Sequence, residues 1–461
     1  MRRGEVTPVR WRSYAGVLLL VGCRNLLPAG APSSAVDAPA QMPPEIQNSS
    51  NFPVVSAAVI SPSDRALSLA LASAVRVRGL PSRRAFGSEH VDRTRMGAIV
   101  RKELAAIPQE AIRNEATEQK LLSLVAPAAD YEEMVVGMVS SQVAGLYSPL
   151  ARTLYVVDDD PRGSPEEHAL LVHEMVHALQ DEHFDLGERV RWRAESTDET
   201  AAAHALAEGD ATLAMLLEGG GHRELSDRFI ADFITGMKET NRQILEGTVP
   251  RSIADSLVSP YVDGMRFVWR LYVRGGWEAV NAAWRDPPVT TEQLLHAEKY
   301  VAHEGPVPLV GDPVGPKDFS LASAHTVGEL DVRDWLGAFV AFEVAESHAG
   351  AWENGRMELF ARGDERALRM RIRWDADAGP TAQGLAKALA KSFQGRFGPP
   401  RTSGLFHCVE RPNVGPLAWA ASPRELVVLA GPASFSGGQL PTSGSSCASL
   451  RSWAERAIPL P

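Results

Sequence analysis

From about Val91 to Leu124, apolar residues recur three and four positions apart, with Glu, Arg and Lys between them. That period predicts helix. The pattern changes between Gly145 and Asp158. Leu154-Tyr155-Val156-Val157 is a short β-branched and aromatic run, which predicts a strand; Ser148-Pro149 marks the turn before it and Asp158-Asp159-Asp160-Pro161 ends it. A helix opens next. Ser164 suits the N-cap, Pro165 the first turn, and Glu166 and Glu167 face the positive helix end. No Pro or Gly interrupts it up to Phe184. Further helices are predicted over about 198–218, stopped at Gly219-Gly220-Gly221, over 262–274, stopped at Gly275-Gly276, and over 277–284, broken by Asp286-Pro287-Pro288. Thr290 starts a fifth, with Gln293 at capping-box spacing.

The patterning shifts after about residue 305. Gly311, Pro313, Gly315 and Pro316 mark a linker, and beyond it 357–360, 368–374 and 425–429 read as strands and 381–393 as a helix. The expected fold class is therefore α+β: a mostly helical domain with a small sheet over 91–305, then a smaller α+β domain over 320–461.

The start of the chain reads differently. Arg2, Arg3, Arg10 and Arg12 precede a short apolar run, Val17 to Gly22, too short to span a bilayer. That is the form of an export signal. Leu20-Val21-Gly22-Cys23 resembles a bacterial lipobox, so residues 1–23 are expected to be a signal peptide ending at a lipidated Cys23; the alternative is an ordinary cleaved signal with a chance cysteine. Residues 24–90, rich in Pro, Ala and Ser in their first part, read as a flexible tether. The chain has three cysteines, and an exported chain left with Cys408 and Cys447 is expected to pair them, two buried thiols being the alternative. Of the 461 residues, 23% are charged and 44% hydrophobic, as in folded globular protein, and the net charge of −10 argues against general nucleic-acid binding.

The chemistry lies in the first capped helix. His173-Glu174-Met175-Val176-His177 puts two imidazoles four residues apart, about 40° from each other around the helix, so both can face one ion. Glu174 beside them can hold a water and take its proton. A catalytic zinc wants three protein ligands and an open position. Two residues compete for the third place. His183 stands six after His177, but the turn it needs calls for a glycine where Gln180 stands, and on a continuing helix it points roughly 240° away. Glu208, on the second helix among small residues, is the better candidate. Asp210 is weighed as an acceptor for a ligating imidazole or as a solvated acid, His204 as a structural histidine.

Three strings carry a resemblance: 167–181 around the two histidines, Glu208-Gly209-Asp210-Ala211-Thr212, and Thr290 to Tyr300. Together they resemble a family of uncharacterised bacterial HExxH lipoproteins, similar to gluzincin-type (peptidase-MA-like) metallopeptidases. The likeness spans roughly 135–300. Where the family has proline after the histidine of the third string, this chain has Ala297. The resemblance implies a zincin-like metallopeptidase domain, one Zn2+ held by His173, His177 and Glu208, Glu174 as general base, and an oxyanion partner from a downstream helix, for which Tyr300 and His296 are the candidates. The Leu154–Val157 strand is a candidate to pair with an extended substrate. The expected function is zinc-dependent hydrolysis, of peptide or protein substrates, by an enzyme anchored through Cys23 in the bacterial envelope, periplasmic or at the cell surface. The competing reading is an envelope scaffold or binding lipoprotein with a structural zinc.

Overall fold

A computed structural model of the chain describes residues 22–23, 65–158, 164–219, 225–245, 247, 249–375, 381–436 and 440–458. Most of the expected export signal and the first part of the expected tether lie outside these residues.

The architecture is mixed α+β. The first half is mostly helical: α1 (Arg65–Arg78), α2 (Arg93–Leu104), α3 (Gln109–Leu121), α4 (Tyr131–Gln142), α5 (Pro165–Phe184), α6 (Leu186–Arg189), α7 (Thr197–Gly219), α8 (Asp227–Leu245), α9 (Arg251–Arg285), α10 (Thr291–Leu295) and α11 (Ala297–Val301). A small sheet accompanies them: β1 (Gly22–Cys23), β2 (Gly87–Val91), β3 (Val143–Ser148) and β4 (Thr153–Val157), ordered β1-β3-β4-β2 with only the β2–β4 pair parallel. The second half is a seven-stranded antiparallel sheet: β5 (Ser320–Thr326), β6 (Trp352–Arg362), β7 (Glu365–Trp374), β8 (Arg401–Ser403), β9 (Phe406–Val409), β10 (Leu417–Ala421) and β11 (Glu425–Ser434), in the order β5-β6-β7-β11-β10-β9-β8. It carries α12 (Glu329–Gly337), α13 (Phe342–Ala349), α14 (Thr381–Phe397) and α15 (Cys447–Ala457). Among the described residues, no helix is long and apolar enough to cross a membrane.

The folded body begins before residue 91, inside the expected tether. Leu67, Ala70, Leu71 and Ala74 form a helical stripe on α1 and share a core with Val172, Met175 and Val176 of α5. The stripe is half alanine and short, so it hides in a stretch read as linker. Arg78 at its end is buried and donates from Nε to Asp210 at 2.6 Å. The two helices expected over 262–284 are parts of the longer α9, which breaks at Gly275 and Gly276, the latter at φ 59°.

The helix α7 is buried nearly all round, and its contact with α9 is backbone on backbone. A Cβ on Gly209 would lie 2.2 Å from the Gly264 carbonyl carbon, and one on Gly264 would lie 1.9 Å from the Ala205 oxygen. Only glycine at both positions allows the helices this close.

The halves are joined by polar contacts. Thr291 donates its N–H and hydroxyl to Asp198 of α7, while its hydroxyl also accepts from the Leu330 N–H of α12. His296 Nε2 lies 2.9 Å from Glu329. The string 290–300 therefore clasps three elements together, which supplies the role its sequence alone does not reveal. His325 of β5 meets Glu118 of α3 at 3.1 Å, both buried. The expected disulfide is present. Cys408 on β9 pairs with Cys447 at the start of α15 across 39 positions, a ring large enough to restrict the unfolded chain by about 4 kcal/mol. Such a bond points to an oxidising compartment.

Two outcomes follow for stability. Gly264→Ala is expected to lower it by about 2–3 kcal/mol through overpacking; Gly137→Ala, in open space on α4, is expected to raise it by up to about 1 kcal/mol. Urea midpoints at unchanged slope measure both. For His325, burial favours the neutral form, but the charge and hydrogen bond of Glu118 outweigh it and hold the imidazole up at about 9. A raised histidine stabilises fully below its ordinary 6.5, and that contribution is lost as pH rises through about 9. Unfolding midpoints should fall across this window in the native chain and fall less in His325→Gln.

Candidate metal centre

The helix α5 sets out the site. Ser164 caps it by accepting from the Glu167 N–H at 3.1 Å, and the helix runs unbroken to Asp185, whose left-handed φ of 55° ends it. His173, Glu174 and His177 are completely buried. The helix α7 brings Glu208 across from the other side, equally buried.

The three side chains converge. His173 Nε2 lies 3.1 Å from His177 Nε2 and 3.1 Å from Glu208 Oε2, and His177 Nε2 lies 3.4 Å from the same oxygen. Among the described residues they form the group that could hold a metal ion. Four ligands at the ordinary zinc–nitrogen and zinc–oxygen distances, arranged as a tetrahedron, stand about 3.3 Å apart. The observed separations match one face of that tetrahedron. Two imidazole nitrogens and a carboxylate oxygen, with lone pairs facing each other out of water, also repel unless a proton or a cation lies between them. The donor set fits zinc.

The electrostatics agree. Burial disfavours charge on His177, but the charge and hydrogen bond of Glu208, with Glu174 and Gln180 adding, raise it to about 9. For His173 burial wins and its affinity for a proton falls. Burial alone would raise Glu208; the charge of His177 and hydrogen bonds from His173, His177 and His204 instead hold it well below the ordinary carboxylate range. These shifts favour a proton on His177, and a divalent ion at the cluster would compete with it.

Gln180 fixes how His177 presents itself. Its amide nitrogen donates to the Ala207 carbonyl at 3.0 Å, so its oxygen faces His177 Nδ1 at 2.8 Å. A carbonyl and an amide oxygen can only accept. Nδ1 must therefore carry the hydrogen, and in the neutral ring the Nε2 lone pair points at the cluster. The sequence offered Gln180 only as a helix former at a place where glycine was needed. Its position three residues after His177, on the same helix face, was the signal for this second role. His173 is held differently, by stacking on Tyr261 of α9, with centroids 6.1 Å apart at 29°. Tyr261 was not among the expected site residues.

Several expectations are redirected. Asp210 makes no bond to an imidazole: it accepts from Arg78 and from the Trp284 indole at 2.7 Å. His204 Nε2 lies 3.4 Å from Glu208 Oε1, behind the carboxylate. His183 bonds to the Pro81 carbonyl, away from the cluster. Tyr300 donates to the Asp286 carbonyl at 2.8 Å and packs edge-on against Phe267, and His296 is paired with Glu329, so neither bonds to the ligand trio. Both are engaged in holding α10 and α11 in place. The strand β4 is paired on both edges and cannot take a substrate strand there. On the outer edge of the neighbouring β3, among the described residues, the two-residue β1 is paired antiparallel.

Glu174 sits under β3. Its Oε2 accepts the Tyr147 N–H at 2.8 Å. A Cβ on Gly145 would meet Glu174 Cγ at 2.9 Å, so glycine there is what lets the strand pass over the carboxylate.

The chain matches no family model, and no curated protein or solved structure matches it. What stands of the family resemblance is the buried His173, His177 and Glu208 group itself.

Gln180→Leu is expected to weaken zinc binding by about 10- to 100-fold, since it frees the His177 ring and its tautomer. Gln180→Glu, which keeps an acceptor for Nδ1–H, is expected to lose much less. Competition with a chromophoric chelator measures both, with circular dichroism checking the fold.

Proposed function

We propose that the protein is a zinc-dependent hydrolase of peptide bonds, exported and held in the bacterial envelope through a lipidated Cys23. The observation that carries the activity is Glu174: a carboxylate one residue from a zinc ligand, fully buried, and bonded to the backbone of β3, a strand that already accepts a short extended segment, β1, along its outer edge. A purely structural zinc has no use for a base at that place.

His173, His177 and Glu208 hold the ion in this reading. Zinc, when bound, supplies a Lewis acid for the scissile carbonyl and for the attacking water. Glu174 takes a proton from that water and delivers it to the leaving amine. The Tyr147 N–H holds one carboxylate oxygen and so orients the other. The β3 edge aligns the substrate antiparallel, in the way Gly22 and Cys23 pair with Gly145 and Val143. Tyr261, its ring stacked toward His173 with centroids 6.1 Å apart, joins Tyr300 and His296 as a candidate for the oxyanion role. A non-peptide amide substrate would use the same groups.

The complete burial of all three ligands favours a second reading, a scaffold or binding lipoprotein with a closed structural zinc. Glu174→Gln separates the two. In the peptidase it loses about 10^2- to 10^4-fold in kcat while zinc content stays at one per chain, and chelator removes the activity, which zinc restores. Tyr261→Phe loses about 10^2-fold with zinc retained. Undiminished cleavage by Glu174→Gln would sink the peptidase mechanism; a zinc-loaded chain that cleaves none of a broad peptide library would favour the scaffold.

A further inference from the structure

A cavity of about 140 Å³ opens at the seam of the two halves, between α3, α4, the first turns of α9, β5, α12 and β6. None of the metal-site residues lines it. For scale, a cavity of about 150 Å³ takes up one benzene.

Its polar lining is one-sided. Glu115, Glu118, Asp331 and Asp334 all face it. The donors that could balance them are engaged: His325 is on Glu118, and the Tyr131 hydroxyl donates to Glu115 at 2.6 Å. Arg333, beside Asp334 at 3.5 Å, makes its shorter contact with Asp263 at 2.6 Å. Burial, and then the carboxylates of Asp255, Asp263 and Asp331, push Asp334 up to about 8 despite Arg333. Asp334 therefore holds a proton near neutrality, and the four carboxyl groups of the lining cannot all ionise without a further cation, which would displace that proton.

Two further polar atoms have no partner. The Ser252 hydroxyl and the Trp335 indole N–H both belong to residues lining the cavity, 7% and 4% exposed, and neither finds a hydrogen bond. Buried polar groups left like this carry an energetic penalty that a ligand can remove. The rest of the wall is apolar, including Val135, Met138, Leu257, Val327 and Met357. Such walls suit a hydrocarbon body and poorly suit a calcium ion, which wants six to eight oxygens around it. An anion finds no cation in the lining except His325, which Glu118 already holds.

We propose that this cavity is a binding site for a small organic cation: a primary ammonium among the carboxylates, on an apolar ring-sized body. The ammonium gives Ser252 Oγ a donor, and an aromatic ring gives the Trp335 N–H a π-face to meet. The site is separate from the zinc chemistry and does not depend on it.

Calorimetry on the full chain with three isosteric probes tests this. Benzylamine is expected to bind once per chain and at least tenfold more tightly than benzyl alcohol, with benzoate not binding. Ser252→Leu, which fills the cavity, and Asp334→Asn, which removes a carboxylate, are each expected to weaken benzylamine at least tenfold with zinc content unchanged. Should either variant fail to fold, the indole N–H resonance of Trp335 in the native chain, assigned through Trp335→Phe, is expected to shift saturably with benzylamine and not with benzoate. Equal binding of amine and alcohol, an unmoved Trp335 signal, or unchanged benzylamine affinity in both variants would overturn the assignment. Glu174→Gln is expected to bind benzylamine as the native chain does, so failure here is distinct from failure of the hydrolase reading.

Discussion

Two glycines let the backbones of α7 and α9 touch, and the position of Glu208 follows from that contact. Glu208 precedes Gly209 directly, so whatever fixes the glycine also fixes the carboxylate. The same approach carries Tyr261, three residues before Gly264, onto the ring of His173. A methyl group at either glycine would strike the backbone of the facing helix and force one of the two to move. Packing thus precedes chemistry here: interiors are dense enough that a close contact in one place dictates positions a turn away.

The cluster is also the place where the fold holds unfavourable electrostatics in reserve. Three acceptor groups face each other at about hydrogen-bond distance, out of water. Around the cluster several such groups are answered by a partner. Arg78 and Trp284 satisfy Asp210, Gln180 satisfies both His177 and the Ala207 carbonyl, and Thr291 satisfies Asp198. Where answers are complete the residues are structural. Where one is missing, as at the trio and in the cavity at the seam, there is a reason to look for a ligand.

Local rules made much of this legible. The capped α5, the spacing of His173 and His177, the small residues around Glu208, the break at Gly275-Gly276 and the Thr290 cap are all short-range features, and all appear where the spacing put them. The choice of Glu208 over His183 rested on helix geometry at Gln180, and the helix does continue there. The failures have one cause. The helix α1 is stabilised by a partner a hundred residues on; the pairing of β7 with β11, which joins the two parts of the seven-stranded sheet, spans some fifty residues; Tyr261 reaches the site only through tertiary contact. Periodicity reports the residues that face a core, not which core they face. Tyr300 and His296 were carried by the family likeness; the structure packs Tyr300 against α9 and puts His296 in the clasp between halves.

The disulfide has a consequence for the order in which the molecule matures. Apart from Cys23, the cysteines of the chain are the two of that bond, both in the second half. The half that builds the metal cluster between α5 and α7 thus takes no covalent instruction from its surroundings. It can close in reducing or oxidising conditions alike. Only the last helix, α15, waits for oxidation to be tied to the sheet through Cys408. Assembly of the cluster and completion of the sheet are thereby separable in time, and the compartment in which the chain finds itself decides only the second.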